Sequence, residues 1–133
     1  MKSKQYCLLI NTYNQAVEIL NIYKNSKIIP IFYLKYNLIN KLSVDWLLEL
    51  TSMLNNHFGS KKFQTYVEVK KNYGLFISLV EKKINYLEVI ADKEILIKLK
   101  SIAKVNKVLI NPKFSILDLT KSKNIKMKLK NLI

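Results

Sequence analysis

VEVKKNYGLFISL, residues 67 to 79, joins a segment of alternating apolar residues to a helical pattern through two lysines and a lone glycine. The alternation places Val67 and Val69 on one face of a strand. After Gly74, apolar residues recur at a spacing that suits the buried face of a helix. The stretch therefore predicts a strand, a turn at residues 70–74 and a helix, which is the connection that α/β proteins repeat.

The same alternation recurs along most of the chain. Apolar periodicity and capping residues predict helices after Asn11, from Ser43 to a stop at Gly59, after Gly74 and from Asp92. Strands are predicted at four places: Ile31–Leu34, residues 63–69, residues 84–90 and residues 108–112. Residues 113–120 are expected to form a loop. The order favours an α/β fold, a small single-domain sandwich of about four mostly parallel strands with helices on the sheet faces.

The 133 residues fit one domain, which we place at residues 1–120, followed by a basic amphipathic C-terminal tail at residues 121–133. The apolar runs are too short to cross a bilayer, and the N-terminus lacks the features of a secretory signal. Cys7 is the single cysteine, so an intrachain disulfide is impossible. A cytoplasmic location is therefore expected.

The formal net charge is +14, and all 23 basic residues are lysines. A charge of this size favours nucleic acid or an anionic membrane as a partner. Arginine, which binds phosphates and guanine edges through a bidentate fork, is absent from the sequence. A composition rich in Lys, Asn and Ile is also typical of an AT-rich genome, in which part of the charge reflects codon usage. The sequence therefore leaves two interpretations of the charge open, an anionic partner and codon usage.

Ligands of open parallel sheets bind beyond the carboxyl ends of the strands. Three turns are expected there: residues 35–41, 70–74 and 91–92. In the second turn, Lys70 and Lys71 stand beside a helix N-terminus and are candidates to hold an anion, together with Glu68 and Gly74. The alternative is that both lysines are solvated and that Gly74 only eases the turn.

Other reactive residues are more readily explained as structural. His57 lacks a second metal ligand nearby in the sequence, and Cys7 lacks a base, so we predict no metal site, no cofactor and no catalytic residue. Glu68, Asp92 and Asp118 are candidates for a carboxylate cluster, although spacing alone does not bring them together. The eight tyrosines are scattered through the elements, which favours packing over base stacking.

The C-terminal tail carries five lysines and no acid: Lys121, Lys123, Lys126, Lys128 and Lys130. Apolar residues alternate with these lysines, as in an edge strand, while Ile125 and Leu129 also fall on one helical face. Such an end suits contact with RNA, acidic lipid or the protein's own sheet, and a frayed tail is the alternative.

The segment EVKKNYGLFISLVEK resembles a family of small uncharacterised alphaproteobacterial α/β proteins. In that family the central strand ends in an Asp-Cys-Gly-Asp turn, followed by a glycine and a helix rich in Ala and Leu. Aligned on Gly74, Glu68 takes the first acidic position, whereas Val69, Lys70 and Lys71 replace the cysteine, the glycine and the second acid. The resemblance covers roughly residues 16–120. Its other matches are Pro30, Trp46, His57 and the sequence LDL at residues 117–119.

The resemblance implies an α/β fold but no activity, and the departures imply that an acidic site of the family is largely lost here. We therefore predict a non-catalytic protein-binding or regulatory module with an unidentified protein partner. A nucleic-acid-binding accessory protein that uses the tail lysines is the alternative, and an anionic membrane surface is a weaker one. An enzyme is a third hypothesis, which requires Glu68, Lys70 and Lys71 to line one pocket around a small anionic substrate.

Overall fold

A computed structural model describes residues 5–130 and 132–133 of the chain. The strands of this part are β1 (Tyr6–Leu9), β2 (Ile31–Leu34), β3 (Gln64–Lys70), β4 (Tyr86–Val89), β5 (Leu109–Ile110) and β6 (Ser115–Asp118). The helices are α1 (Tyr13–Tyr23), α2 (Tyr36–Leu42), α3 (Val44–Phe58), α4 (Tyr73–Glu81), α5 (Lys93–Val105) and α6 (Ile125–Leu129). All described strands form one parallel sheet in the order β5-β4-β3-β2-β1-β6. The α/β class and the parallel sheet are thus as the sequence predicts.

The helices cover one face of the sheet, not both. Each step from β1 to β5 moves to the next strand in the same direction, and right-handed crossovers in one direction place every helix on the same side. The buried residues of all six described helices accordingly join one apolar cluster with outward-facing strand residues such as Leu8, Val67 and Leu87. The prediction that helices lie on the sheet faces is therefore corrected: the described helices lie on one face only.

The opposite face of the sheet carries a second buried cluster. It consists of strand residues together with one residue of the β5–β6 connection: Cys7, Leu9, Ile31, Tyr33 and Tyr66, with Tyr86 and Phe114 packed against them. We call this the inner face. Its five core members are at most 4% exposed, although the helices lie on the other side.

The sheet is curled, and this explains the buried inner face. Five peptide steps from Ile110 to Ser115 span at most about 18 Å. In a flat sheet, five spacings of about 4.8 Å would hold β5 and β6 about 24 Å apart. Because these outer strands are joined by so short a connection, the two edges must bend toward each other. The result is an incomplete barrel with the helices outside.

Phe114 shows the direction of the bend. The backbone of the next residue, Ser115, donates to the carbonyl of Gln5 (2.8 Å), which fixes this point beside β1. Nevertheless the Phe114 ring lies 5.8 Å from the ring of Tyr66 and 4.9 Å from that of Tyr86. These tyrosines are on β3 and β4, three and four strands away from β6. The edges therefore bend toward the inner face.

Six strands are present in the described part where the sequence predicts about four. The four predicted strands correspond to β2, β3, β4 and β5. β1 was not predicted because it is buried on both faces, so it reads as a short apolar run without alternation. β6, predicted as a loop, is a half-exposed edge strand of only four residues.

The helix predictions need one correction. The residues expected to form a turn after β2 form α2, a helix of seven residues whose asparagines weaken its apolar pattern. The predicted caps are confirmed: the Ser43 hydroxyl accepts from the Trp46 N–H (3.4 Å), the Asp92 carboxylate accepts from the Ile95 N–H (2.9 Å), and Gly59 ends α3.

The tail forms a turn and the short helix α6. Ile125 and Leu129, at 4% and 0% exposure, are part of the main core, while Lys126, Lys128 and Lys130 are exposed. The division of the chain at residue 120 stays a prediction. Within the described ranges, no helix has the length and apolar character that crossing a bilayer requires.

Candidate functional site

A cavity of about 480 Å³ opens at the carboxyl ends of β3 and β4, where parallel sheets bind ligands. We call it the carboxyl-end cleft. Its lining residues come from β3, β4 and the segment that follows each of β4 and β5: Tyr66, Glu68, Lys70, Glu88, Val89, Ile90, Asn111 and Pro112. It therefore combines two carboxylates, one ammonium group and a tyrosine with an apolar wall.

The register of the sheet places the two carboxylates side by side. Glu68 of β3 pairs directly with Glu88 of β4, and both side chains leave the sheet on the inner face. Tyr66 pairs with Tyr86 two residues earlier, so aromatic rings form the layer beneath the acids. Like charges at paired positions on neighbouring strands destabilise each other unless a counter-charge or donors compensate.

Donors compensate at Glu88. The hydroxyl of Tyr33 donates to Oε1 (2.7 Å), and the hydroxyl of Tyr66 donates to Oε2 (3.2 Å). Both tyrosines are almost fully buried, at 1% and 2% exposure. Hydrogen bonds to an ionised acceptor are stronger than those between neutral groups. The two hydroxyls therefore fix the Glu88 carboxylate at the floor of the cleft.

This environment favours the protonated form of the tyrosines. Burial raises the pKa of Tyr33 above its ordinary value of 10.0, and the hydrogen bond to Glu88 raises it further. Burial also raises the pKa of Tyr66, and the negative charge of Glu88 adds to the effect. The same two causes raise the pKa of the Cys7 thiol to about 12. At neutral pH the two tyrosines therefore act as hydrogen-bond donors to Glu88, and the Cys7 thiol stays protonated and is not an activated nucleophile.

Glu68 is held differently. Its Oε1 accepts from the backbone N–H of Tyr36, the first residue of α2 (3.0 Å), and its Oε2 has no hydrogen-bond partner among the described residues. Asn72 donates to the Tyr36 hydroxyl (3.2 Å), and the ammonium of Lys70 lies 5.7 Å from the centre of the Tyr36 ring. Helix α2 thus positions the second carboxylate at the start of its first turn.

The backbone at Lys70 is unusual. The β3–β4 register shifts between Glu68 and Lys70, and Lys70 adopts a left-handed conformation with φ 56°. A non-glycine residue in this region costs about 1–2 kcal/mol. The bulge turns the end of β3 and brings Lys70 to the cleft. Strained backbone of this kind is often found in binding sites.

The structure brings together two of the four candidate anion-binding residues named from the sequence. Glu68 and Lys70 line the cleft, whereas Lys71 and Gly74 do not. Lys71 is exposed in the turn. Gly74 lies in the first turn of α4, and a Cβ there would meet nothing nearer than Asn72 Oδ1 at 3.7 Å. No close approach at this position requires glycine.

The other candidate carboxylates do not join Glu68 in the cleft. Asp92 caps α5. Asp118 accepts hydrogen bonds from the backbone and the hydroxyl of Thr120 (2.9 and 2.6 Å), which lower its pKa. No group of three or more His, Cys, Asp or Glu residues within the described ranges is placed to hold a metal ion.

The sequence does not predict three residues that line the cleft, Tyr66, Glu88 and Asn111, or the buried Tyr33 that donates to Glu88. Glu88 shares the alternation of Tyr86 in β4, which is a signal for the inner face, but the pairing with Glu68 depends on strand order. Asn111, with φ 51°, accepts the Val89 N–H through Oδ1 (2.8 Å) and closes the far side of the cleft. No sequence pattern marks that contact.

Comparison of the chain with protein-family models, with curated proteins and with solved structures gave no match. The account of function therefore rests on the geometry of the described residues.

Proposed function

We propose that the protein is a non-catalytic cytoplasmic binding module with a regulatory role, and that the carboxyl-end cleft takes a small molecule carrying an ammonium or guanidinium group. One observation carries the proposal: the paired carboxylates of Glu68 and Glu88 lie in the same cavity of about 480 Å³. This volume is in the range of small-molecule sites, and the mixture of an apolar wall with a few convergent polar groups is typical of them.

The charges favour a cationic ligand. Two carboxylates on adjacent strands repel each other, and a cation between them turns this repulsion into attraction. Oε2 of Glu68 is available as an acceptor, and each Glu88 oxygen, with one tyrosine donor, retains one further lone pair. Lys70 at the same cleft favours a ligand whose second polar group is a carboxylate, as in an amino acid.

The composition of the cleft supports binding over catalysis. Its described lining residues include no histidine, cysteine, serine or threonine, so the cleft lacks a hydroxyl or thiol nucleophile paired with an imidazole base. The tyrosine hydroxyls are kept protonated by burial. The enzyme hypothesis required Lys71 in the same pocket, and Lys71 does not line it.

Isothermal titration calorimetry with a panel of amino acids and short diamines tests the proposal, with the matching carboxylates and alcohols as controls. We expect saturable binding of an amine and at least about a tenfold loss in Glu68→Gln. Glu81→Gln is the matched control, because Glu81 is exposed at the end of α4, outside the cleft. Equal affinity in both variants, or binding of the carboxylate or alcohol controls, would refute the proposal.

A protein partner remains part of the proposal, because a regulatory module acts by binding another molecule differently with and without its ligand. An apolar groove between α5 and β5 supports it: Leu109, 64% exposed, lines this groove together with Lys100, Lys104 and Lys107. These features suit an acidic segment of a partner protein that carries apolar side chains and pairs as an extra strand with the edge of the sheet. A fluorescent acidic amphipathic peptide that binds the wild type and Leu109→Ser equally would contradict this surface.

Nucleic-acid binding through the tail is the second candidate. It is supported by α6, in which Ile125 and Leu129 are buried while Lys126, Lys128 and Lys130 are exposed. Truncation would remove core residues, so the sharper variant changes only these three lysines to glutamine. RNA or DNA binding that falls steeply with salt and weakens in this variant supports the candidate. Binding to anionic vesicles alone would favour a membrane surface instead.

A further inference from the structure

A second cavity, of about 560 Å³, lies away from the carboxyl-end cleft, and the two share no lining residue. Its walls come from the end of α1 with the connection to β2, and from the end of α3 with the connection to β3. Both connections lead into the amino ends of strands, whereas the cleft lies at the carboxyl ends. We call this cavity the basic pocket.

The basic pocket is distinguished by its charge. Four exposed lysines line it, together with His57: Lys24 and Lys27 from the first connection and Lys61 and Lys62 from the second. None of the described residues that line it is acidic. The two pairs of lysines therefore face one cavity from two separate loops.

The helix dipole does not account for these lysines. Helices α1 and α3 both end at the pocket, and cations near a helix C-terminus stabilise it. Two helix ends together carry about one negative charge, so an excess of about three positive charges remains around the cavity. These charges repel one another, and a multivalent anion would offset the repulsion.

The pocket also has an apolar side. Ile28 and Ile29 line it with 49% and 46% of their surfaces exposed, and Phe58 stands beside His57 with the rings edge to face at 4.6 Å. An inorganic anion would leave this apolar surface uncovered. A ligand with an apolar or planar group would bury it.

We infer that the basic pocket binds a small organic oligophosphate of the nucleotide class. The lysines of both loops contact the phosphate oxygens as point charges, and the organic group packs against Ile28 and Ile29. The cavity volume suits a compound of this size. The inference is independent of the ligand in the carboxyl-end cleft.

Calorimetric titration of the full chain tests whether the basic pocket binds an organic oligophosphate. The probes are ATP, sodium tripolyphosphate, sodium sulfate and a short single-stranded oligonucleotide. We expect ATP to bind more tightly than tripolyphosphate, and sulfate to bind weakest. Lys61→Gln with Lys62→Gln should weaken ATP binding by about tenfold or more, since charge-assisted contacts are lost. Lys24→Gln with Lys27→Gln should act in the same direction from the other loop.

The matched control is Lys82→Gln with Lys83→Gln. This pair is also exposed at the end of a helix, and Lys83 has a left-handed backbone (φ 59°) like Lys61 (φ 64°), but neither lysine lines the pocket. Its affinity for ATP should stay within about twofold of wild type. An equal loss in all three double variants would show nonspecific attraction and overturn the inference. An oligonucleotide that binds far more tightly than ATP would overturn the small-ligand assignment.

Discussion

The hydroxyl of Tyr33, on β2, donates a hydrogen bond of 2.7 Å to Oε1 of Glu88, on β4. Strand β3 lies between these strands, so the two residues are separated by about 10 Å of sheet. Their side chains meet because they leave the inner face of a curled sheet and converge. This contact joins the interior of the incomplete barrel to the floor of the carboxyl-end cleft.

The Tyr33–Glu88 contact should contribute measurably to stability. Tyr33→Phe removes the donor to a carboxylate, and we expect a loss of about 1.5–3 kcal/mol in the free energy of unfolding. Tyr86→Phe is the control, because its hydroxyl donates to the neutral amide of Gln64 (3.1 Å), and its cost should be near 1 kcal/mol. Urea denaturation measures both, and an equal cost would contradict a charged contact.

Stability should fall at alkaline pH. The pKa of Cys7 rises from 9.0 to about 12, and burial raises the pKa of Tyr33 and Tyr66 above 10.0. Groups with a raised folded-state pKa stabilise the fold fully below their unfolded pKa, and this stability is lost as the pH rises toward the folded value. The urea midpoint should therefore drop above pH 9, first through Cys7. An unchanged midpoint up to pH 11 would contradict the buried placement.

The bulge at Lys70 should prefer glycine. Because Lys70 has φ 56°, Lys70→Gly relieves a left-handed side-chain conformation, whereas Lys70→Ala retains it. We expect the glycine variant to be the more stable of the two by about 1 kcal/mol. Thermal unfolding of both variants provides the comparison. A more stable alanine variant would contradict the left-handed backbone conformation at Lys70.

Phe114 should hold the edges of the curled sheet together. Phe114→Ala removes the ring that contacts Tyr66 and Tyr86. Because Phe114 is half-buried, the expected loss is about 2 kcal/mol, below the cost for a fully buried ring. Hydrogen exchange should also accelerate at β5 and β6 more than at β2. A uniform acceleration would contradict a specific role at the edges.

The tail should stabilise the domain through its apolar residues and not through its lysines. Leu129 is fully buried, so Leu129→Ala should cost about 2–4 kcal/mol. Lys128→Gln, at the exposed neighbouring position, should change stability by less than about 0.5 kcal/mol. Guanidinium denaturation distinguishes the two, and a small effect of Leu129→Ala would indicate a frayed tail.

Much of the fold is predictable from the sequence because most elements have strong local patterns. β3 alternates, and α3 has both caps and an apolar stripe. β1 and β6 lack such patterns, since one is buried on both faces and the other is a short edge. Strand order and curl depend on contacts between distant residues, such as Phe114 with Tyr86, and have no local signature.

The residues of the carboxyl-end cleft also divide into those with a local sequence signal and those placed by contacts between distant residues. Glu68 and Lys70 were named because residues at the carboxyl end of a parallel strand are placed there by topology alone. Glu88 lies beside Glu68 because of the order and register of β3 and β4, and Tyr33 reaches Glu88 across β3 because the sheet is curled. Lys71 and Gly74 follow Lys70 closely in the chain but do not line the cleft.

The proposed ligand of the carboxyl-end cleft is an amine held between Glu68 and Glu88. Amide chemical-shift mapping of the full chain, titrated with the amine that binds most tightly by calorimetry, tests it most directly. We expect saturable shifts concentrated at Glu68, Lys70, Glu88 and Asn111, and their loss in Glu68→Gln. Shifts that cluster elsewhere, or that persist in Glu68→Gln, would contradict it.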